Sequence, residues 1–258
     1  MNKKLSGAQA LLVPITRVGR NYLPFSENLR NRYIKYIDAV PTAHLPETSV
    51  TGVTSFMNMS ISIADKVGNA IVMRDLPLNR MNYEETFGQR QPIAREISLQ
   101  NSYITVTESA QVGKSVLLVF WFDLPEYSQR NTTDEILVDG LSIPITSAVY
   151  RNQLPDSLTM AGKRFRSILF QSVGVTPDYA TGVDYTDAQN LYLTLRKGSY
   201  NVLENVPLSL LYQMWQVDKI QFANMIFDFQ SSYIIVGGAG TYTNPVGKSV
   251  FLNFVYEK

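Results

Sequence analysis

Two short segments of the chain share residues with the end of a nucleotide phosphate-binding loop. Gly113-Lys114-Ser115 and Gly247-Lys248-Ser249 hold the glycine, lysine and hydroxyl residue that such a loop sets against phosphate and Mg²⁺. The motif also needs a glycine five residues before its last glycine, and those positions hold Glu108 and Tyr242. Both segments run into an apolar stretch typical of a strand, whereas the motif must open a helix. We therefore predict that each glycine forms a turn before a strand and binds no phosphate.

Three aspartates, Asp178, Asp184 and Asp187, surround the segment Thr181-Gly182-Val183. Clustered carboxylates can hold a hard cation such as Ca²⁺ through oxygen ligands. The spacing differs from that of an EF-hand loop, so the sequence favours a solvated loop and leaves open whether the three side chains bind an ion.

The remaining polar residues form no catalytic constellation. His44 is the one histidine, and neither a nucleophile nor an orienting carboxylate accompanies it. Glu84-Glu85 and Asp134-Glu135 are adjacent pairs, whose side chains point in different directions on a helix or strand. Asn131-Thr132-Thr133 fits a glycosylation sequon, which matters only in a secreted protein. We expect no catalytic residue, no metal ligand, no cofactor and no enzymatic activity.

The elements that must position these residues belong to an internal repeat. Segments of the first half return in order in the second half, at an offset of 130 to 134 residues. The matches are Pro14-Ile15-Thr16 with Pro144-Ile145-Thr146, Arg20-Asn21 with Arg151-Asn152, Thr51-Gly52-Val53 with Thr181-Gly182-Val183, Ser102-Tyr103-Ile104 with Ser232-Tyr233-Ile234, and the two Val-Gly-Lys-Ser-Val segments at 112–116 and 246–250. A repeat of this length has the size of a whole domain, so we predict two homologous domains in tandem.

The repeat also separates residues that the fold needs from residues private to one copy. The pairs Gly52/Gly182, Gly68/Gly198 and Pro77/Pro207 are interpreted as requirements of backbone geometry. The first copy holds Thr48, Thr54 and Met57 where the second holds the three aspartates. An arginine kept in both copies has little reason to be freely solvated, so we expect Arg20 and Arg151 to be buried or paired. The predicted boundaries are a tail at 1–10, a first domain at 11–124, a linker at 125–140 and a second domain at 141–258.

Composition narrows the class of protein. The chain has 258 residues, 45% of them hydrophobic, which is enough for two modest cores. Its net charge of +1 gives no general attraction to nucleic acid or membrane, and the absence of cysteine excludes disulfides and thiol chemistry. The apolar stretch after Lys3 and Lys4 is too short for a signal peptide, and no apolar run reaches the ~18 residues of a membrane span. We expect assembly in a reducing cytoplasm.

The N-terminal region carries a local positive charge. Residues 1–36 hold seven lysines and arginines and a single acid, Glu27. Such a region favours contact with a lipid surface or a nucleic acid. Arg20 and Arg32 have counterparts in Arg151 and Arg164, however, so these arginines are interpreted as part of the repeated fold. We expect a solvated or interface-forming tail, leave contact with an inner membrane open, and expect no specific nucleic acid.

The hydrophobic pattern is mostly that of strands. Met57 to Ile63 alternates apolar and polar residues, which predicts a half-buried strand. Val116 to Phe122 and Val250 to Tyr256 are apolar throughout, which predicts strands buried on both faces. Helix signals are few and short, after Pro77, after Pro207, at Ser26 and at Ser157. Turn residues separate the strands at short intervals, which indicates an all-β sandwich or barrel.

With two tandem all-β units, compact loops and no catalytic motif, the chain resembles the double jelly-roll major capsid proteins of tailless icosahedral, membrane-containing phages, such as corticovirus-like and finnlakevirus-like phages. The resemblance covers residues 11–258 and lies in architecture, not in a signature motif. It implies two eight-stranded β-sandwiches with a few short helices, and a homotrimer that forms a pseudo-hexameric block. It further implies neighbouring capsomers and penton or minor capsid proteins as partners, and a location in the virion after assembly in the host cytoplasm.

Two other classes stay open. Another virion β-sandwich protein, such as a spike or receptor-binding protein, would share the fold but usually carries longer loops. A carbohydrate-binding or carbohydrate-processing pair of β-sandwiches would need a cleft with aromatic residues and carboxylates, for which Trp215, Tyr212 and Asp218 are the nearest residues. Enzymes of that kind are usually exported, and the sequence has no evident signal.

Overall fold

The chain is all-β in the computed structural model, which describes residues 7–82, 92–122, 136–156, 160–171, 182–212 and 225–257. The strands are β1 (Gly7–Pro14), β2 (Gly19–Tyr22), β3 (Tyr33–Val40), β4 (Met59–Asp65), β5 (Ile71–Pro77), β6 (Pro92–Val106), β7 (Ser115–Phe122), β8 (Ile136–Pro144), β9 (Asn152–Gln153), β10 (Arg164–Gln171), β11 (Leu191–Lys197), β12 (Tyr200–Pro207), β13 (Asp228–Val236) and β14 (Ser249–Glu257). The helical segments of those ranges are one α-helical turn, α1 (Tyr185–Ala188), and three 3₁₀ turns, Leu78–Met81, Ser109–Gln111 and Leu208–Leu211.

The chain divides into two compact units. The N-unit comprises Ala8–Leu45 and Val50–Asp123, and the C-unit comprises Leu124–Lys258 together with Met1–Gly7 and Pro46–Ser49. Strand β1 begins at Gly7, inside the segment assigned to the tail, and β8 begins at Ile136, inside the segment assigned to the linker. The early start of β8 follows from its partner, since β14 pairs with it along its full length, from Ser249 beside Pro144 to Glu257 beside Ile136.

The N-unit has two sheets that share the long strand β6. Residues 97–106 of β6 lie between β4 and β2, which gives the order β5-β4-β6-β2. Residues 92–96 of β6 pair instead with β3, which continues the second sheet as β6-β3-β7-β1. A single chain segment therefore crosses from one sheet to the other near Glu96.

The described strands of the C-unit repeat this arrangement. One sheet has the order β12-β11-β13-β9 and the other the order β10-β14-β8. An antiparallel bridge between Met225 and Phe165 occupies the place that the start of β6 has beside β3. The prediction of a mostly β, sandwich-like fold is thus confirmed for both halves of the chain.

The registers of the two units agree in detail. Ile37 faces Phe120 in the N-unit, and Ile168 faces Phe254 in the C-unit. An irregularity between Ile34 and Tyr36 in β3 has a counterpart between Phe165 and Ser167 in β10. These registers align Arg32 with Lys163, so the sequence match of Arg32 with Arg164 is wrong by one residue. The irregularity falls at the same place in both strands, so the offset between the two copies is the same on either side of it.

Three repeated motifs meet in each unit at what we call the closing junction. In the N-unit it consists of Ile15, Thr51–Val53 and Gly113–Ser115. The Ile15 N–H donates to the Lys114 carbonyl at 2.9 Å, and the Gly113 N–H donates to the Ile15 carbonyl at 2.8 Å. The Val53 N–H donates to the Ser115 carbonyl at 2.9 Å. These backbone bonds tie the end of β1 and the loop before β4 to the start of β7.

The C-unit has the same closing junction, formed by Ile145, Gly182–Val183 and Gly247–Ser249. Ile145 exchanges backbone hydrogen bonds with Lys248 and Gly247 at 2.8 and 2.9 Å, and the Val183 N–H donates to the Ser249 carbonyl at 3.0 Å. The motifs that recur in the sequence are therefore those whose backbone groups must meet across large sequence separations.

The last strand of each unit, β7 or β14, is called its closing strand and contributes many residues to the core. All eight residues of β7 are buried, as the apolar pattern predicts. Strand β14 differs, because Val250, Leu252, Phe254 and Tyr256 are buried whereas the residues between them are half-buried. The prediction that β14 is buried on both faces is wrong. Asn253, which interrupts the apolar run, lies on the half-buried face.

The predicted short helices are reduced to single turns. The segments after Pro77 and Pro207 form 3₁₀ turns, and Leu78 and Met81, three residues apart, are both buried as that periodicity requires. Ser26 caps no helix and instead accepts a hydrogen bond from Gln9 Nε2 at 3.0 Å. Ser157 and the continuation of the second segment beyond Tyr212 lie outside the described residues.

We predict that Gly52→Ala lowers the stability of the protein by at least about 2 kcal/mol, because overpacking against rigid backbone is costly. A Cβ atom at Gly52 would lie 2.0 Å from the Thr42 carbonyl oxygen, and neither backbone can yield easily. Thermal unfolding measures the effect. Gly140→Ala is the control, since its Cβ would meet only Asn253 Oδ1 at 3.5 Å. Equal melting temperatures for the two variants would contradict the prediction.

Candidate functional site

The two Gly-Lys-Ser segments form turns inside the closing junctions. Gly113 and Gly247 both have φ of +89°, a conformation that favours glycine. Strands β7 and β14 begin two residues later, as predicted. The lysines have different partners, since Lys114 Nζ donates to Gln111 Oε1 at 3.4 Å whereas Lys248 Nζ donates to Asp187 Oδ2 at 2.6 Å. The backbone of both turns is thus engaged in the fold.

The Asn21 side chain holds the loop between β1 and β2 through hydrogen bonds to its backbone. Its side chain is buried, and its Oδ1 accepts from the backbone N–H groups of Thr16 and Arg17 at 2.9 and 3.3 Å. Its Nδ2 donates to the carbonyls of Arg17 and Gly19 at 2.9 and 3.1 Å. Four polar groups of the loop are satisfied by one amide, which explains why an asparagine stands here.

The Asn152 side chain makes the equivalent hydrogen bonds in the C-unit. Its Oδ1 accepts from the N–H groups of Thr146 and Ser147 at 2.8 and 3.0 Å, and its Nδ2 donates to the Ser147 carbonyl at 2.9 Å. An aspartate could not replace either amide, because the carboxylate has no donor.

The arginine before each asparagine lies on an aromatic ring. The Arg20 guanidinium carbon is 4.6 Å from the centre of the Tyr103 ring, and that of Arg151 is 4.2 Å from the centre of the Tyr233 ring. Both arginines are exposed, so the expectation that they are buried or paired is met by pairing. Cation–π contact holds the charged group at the surface in a defined orientation.

A second cation–π pair is also duplicated, at the end of each closing strand. Arg32 lies over Phe122 at 5.3 Å, and the Lys163 ammonium lies over Tyr256 at 3.8 Å. In the C-unit the pair is extended by Asp139, whose Oδ2 is 3.0 Å from Lys163 Nζ and accepts from the Tyr256 hydroxyl at 2.8 Å. The sequence did not point to this cluster, because its three residues are far apart in the chain.

The electrostatics of this cluster are those of a structural ion pair. Hydrogen bonds from Tyr256 and then Lys163 lower the pKa of Asp139 below its usual value. The hydrogen bond to Tyr256 and the pairing with Asp139 raise the pKa of Lys163. Both shifts move the pKa away from neutral pH, whereas a general acid or base works best with a pKa near the operating pH. The cluster is suited to holding β8 and β14 together with the segment before β10.

Asp187 is the most buried charged group of the C-unit network. Its side chain is fully buried, and its Oδ1 accepts from the Tyr242 hydroxyl at 2.7 Å and from Asn244 Nδ2 at 2.6 Å. Lys248 donates to the other oxygen, and its side chain is 29% exposed. The network ties α1 to the loop before β14, which begins with Gly237-Gly238-Ala239-Gly240.

The pKa values of this network fit a charged, fully bonded aspartate. Burial raises the pKa of Asp187, but hydrogen bonds from Lys248, Tyr242 and Asn244 and the charge of Lys248 outweigh it, so the pKa is lower than usual. Burial, followed by the hydrogen bond to Asp187, raises the pKa of Tyr242 to about 12. A carboxylate held by three protein donors has little capacity left for another ligand.

The structure describes two of the three clustered aspartates of the sequence, Asp184 and Asp187. Asp184 caps α1 by accepting from the Asp187 N–H at 2.8 Å, and Asp187 has the partners just described. Asp178 lies outside the described residues. Within the part of the chain that the structure describes, no three histidine, cysteine, aspartate or glutamate side chains come together as metal ligands.

Other predicted positions contribute fold contacts or lie outside the described ranges. His44 is half-buried, pairs with Thr51 in a β-bridge, and donates its backbone N–H to Thr42 Oγ1 at 3.3 Å. Tyr212 lies against Tyr185 with ring centres 5.1 Å apart. The segments outside the described residues hold Glu84, Glu85, Asn131, Thr132, Thr133, Asp134, Glu135, Trp215 and Asp218.

The buried polar pairs of the two copies differ, and the sequence indicates one of these pairs. In the N-unit the Trp121 indole N–H donates to Asp38 at 2.6 Å, and both side chains are buried. The registers align these positions with Val255 and Leu169 in the C-unit. The pair of Asp187 with Lys248 could have been found from the sequence, because Lys248 has a counterpart in Lys114 whereas Asp187 has no acidic counterpart. No pattern within β3 identifies Asp38 as the partner of Trp121.

Comparisons of the chain with protein-family models, curated proteins and solved structures found no match. Among the described residues, no helix is long and apolar enough to cross a bilayer. The fold and these clusters define a duplicated all-β protein whose polar side chains bond to the backbone and to one another.

We predict that Lys248→Met destabilises the protein by about 1–3 kcal/mol at neutral pH, because it leaves a buried carboxylate without its cation. The matched control is Lys114→Met, which removes only a long hydrogen bond to Gln111 and should change stability by less than about 0.5 kcal/mol. Chemical denaturation measures both. The folded pKa of Asp187 lies below its unfolded value, so its contribution is present at neutral pH and is lost as pH falls through the folded pKa. A Lys248 variant as stable as the control would contradict this account.

We predict that the stabilising contribution of Tyr242 is lost at alkaline pH. Its folded pKa of about 12 exceeds the usual 10.0, so the contribution is complete below pH 10 and falls as pH rises through the folded value. Tyr242→Phe should therefore be less stable than the wild type at pH 8, and the difference should shrink between pH 10 and 12. Tyr150→Phe, which changes a residue 76% exposed, is the control. A difference that is constant over this pH range would count against the assignment.

Proposed function

We propose that this chain is a major capsid protein of the double jelly-roll type, a structural component of an icosahedral, tailless virion. The observation that carries the proposal is the strand order within each unit. If β6 is counted as two strands, at 92–96 and 97–106, the described residues of the N-unit form eight strands. Numbered one to eight, they lie in the orders 1-8-3-6 and 2-7-4-5, and these orders support the proposal of a jelly roll.

The C-unit supports the same interpretation. In the same numbering its two sheets have the orders 1-8-3 and 2-7-4-5. The bridge between Met225 and Phe165 lies where the sixth strand would pair with the third. Two such sandwiches in tandem, with duplicated closing junctions, are the architecture expected of this class of capsid protein.

A structural role also accounts for the polar clusters. Within the described ranges, the charged residues that are buried or stacked on a ring each have a partner in the protein, and they include Asp38, Asp139, Asp187, Lys163, Lys248, Arg20, Arg32 and Arg151. The shifted pKa values among them lie farther from neutral pH than usual, which suits permanent ion pairs better than proton transfer. We therefore propose that the chain has no enzymatic activity.

The proposal specifies how the chain assembles. Three two-lobed chains around a threefold axis present six similar lobes, so such a homotrimer fits a lattice position with six neighbours. Its partners would be identical trimers and the penton or minor capsid proteins, in a virion assembled in the host cytoplasm. The N-terminal tail would face an inner membrane if the virion has one.

We predict that the purified protein is a trimer. Static light scattering should give a mass near 87 kDa, three times the chain mass of 29.1 kDa. Negative-stain microscopy of the same sample should show particles with six lobes around a threefold axis. A mass of 29.1 kDa at every concentration tested, with no larger particles, would overturn the proposed function.

A further inference from the structure

Three polar side chains of the N-unit meet where β6 crosses from one sheet to the other. Lys66 Nζ donates to Asn31 Oδ1 at 2.5 Å and lies 2.7 Å from Glu96 Oε2. We call Asn31, Lys66 and Glu96 the crossing triad. An amine in contact with both an amide and a carboxylate has the groups needed to form an amide cross-link between two side chains.

Strand pairing brings the crossing triad together from three distant parts of the chain. Tyr33 of β3 faces Glu96, and Asn31 lies two residues before Tyr33. Lys66 directly follows β4, and its backbone N–H donates to the Glu96 carbonyl at 3.2 Å. The positions of all three residues are therefore set by backbone contacts with β6 or with the strand beside it.

The C-unit lacks two of the three side chains. The registers align Asn31 with Gly162 and Glu96 with Ile226, which have neither an amide nor a carboxylate in the side chain. The backbone is left-handed at both aligned turn positions, with φ of 60° at Asn31 and 72° at Gly162. Glycine thus meets the backbone requirement in the C-unit, so the shared fold does not account for the asparagine amide and the carboxylate of the N-unit.

The amine is close enough to the amide carbon to react with it. Since a C=O bond is about 1.2 Å long, Lys66 Nζ lies at most about 3.7 Å from Asn31 Cγ. Reacting atoms held at about 3–3.5 Å gain much of the rate that positioning can supply. The same amine contacts the Glu96 carboxylate, which can accept its proton. The side chains of Lys66 and Glu96 are each 43% exposed, so a small leaving group can escape into solvent.

We propose that Lys66 and Asn31 become joined by an amide bond, with Glu96 as the proton carrier. Glu96 takes a proton from the Lys66 ammonium, and the free amine attacks Asn31 Cγ. The Nζ–Cγ bond forms and the Cγ–Nδ2 bond breaks. Nδ2 takes up the two protons that Nζ loses and leaves as an ammonium ion, while Glu96 returns to its carboxylate. No group is oxidised or reduced, and the reaction needs no co-reactant.

The cross-link joins the two sheets of the N-unit. Asn31 leads into β3, which belongs to one sheet, and Lys66 follows β4, which belongs to the other. The bond closes a loop between residues 35 positions apart, which restricts the unfolded chain. The reaction occurs once in each chain and involves no turnover. The inference goes beyond the proposed function and does not depend on it.

The test measures the intact mass of the purified whole chain after incubation at neutral pH. The wild type should be lighter than the unmodified chain by one ammonia, and a protease digest should contain two peptides joined through Asn31 and Lys66. Glu96→Gln should keep the unmodified mass because it lacks the proton acceptor, and Lys66→Arg because it lacks the amine. Glu108→Gln is the matched control, since Glu108 is an exposed carboxylate that also bonds an asparagine, Asn58, and it should lose ammonia as the wild type does.

The outcomes separate this inference from the proposed function. Thermal unfolding should show that the variants remain folded, because the Lys66 and Glu96 side chains are partly exposed. A wild type that keeps the unmodified mass overturns the inference. Loss of ammonia that persists in Glu96→Gln, or that maps to a succinimide or to Asn244 and Lys248, overturns it as well. A cross-linked chain that is monomeric in light scattering overturns the proposed function alone.

Discussion

The structure depends on the backbone hydrogen bonds of the closing junction. In each unit, three chain segments separated by tens of residues meet at the start of the last strand, through Ile15 and Ile145, Val53 and Val183, and Gly113 and Gly247. The glycines adopt φ of +89°, which other residues reach only with strain. These bonds hold the end of the first strand, the loop before the fourth strand and the start of the last strand at one place, across long stretches of sequence. This explains why the recurring motifs of the sequence are short, far apart and collinear.

On this shared backbone the two units have diverged in their buried polar pairs. The N-unit buries Asp38 against the Trp121 indole, and the C-unit buries Asp187 against Lys248 and Tyr242. A buried carboxylate is tolerated only when its partners are complete, so each pair must be kept or lost as a set. The surface cation–π pairs, in contrast, occur in both units, at Arg20 and Arg151 and again at Arg32 and Lys163. The two units thus retain the cation–π contacts of their surface cations but differ in their buried polar pairs.

Some of this could be derived from residue types alone. The turns at Gly113 and Gly247, the strands beside them and the all-β class follow from turn chemistry and apolar periodicity, both of which are local. The helical segments after Pro77 and Pro207 could be located from the sequence, but the type of helix could not be assigned. A four-residue signal does not distinguish a 3₁₀ turn from the start of an α-helix. The burial of β14 was overestimated because an apolar run with one asparagine does not reveal whether its second face is covered. The match of Arg32 with Lys163 required the registers of β3 and β10, because the sequence holds another basic residue, Arg164, immediately after Lys163.

The sequence by itself determined that the chain is a duplication, that each copy is a β-domain, and which backbone positions demand glycine or proline, because these properties reside in local conformation and in collinear repetition. Only the tertiary structure decided which polar residues are partners. Asp139, Lys163 and Tyr256 are separated by up to 117 residues, and Asp187 reaches Lys248 across 61. Such pairs depend on strand register and on the crossing of the chain between sheets, and a shift of one residue in register would turn each side chain to the opposite face.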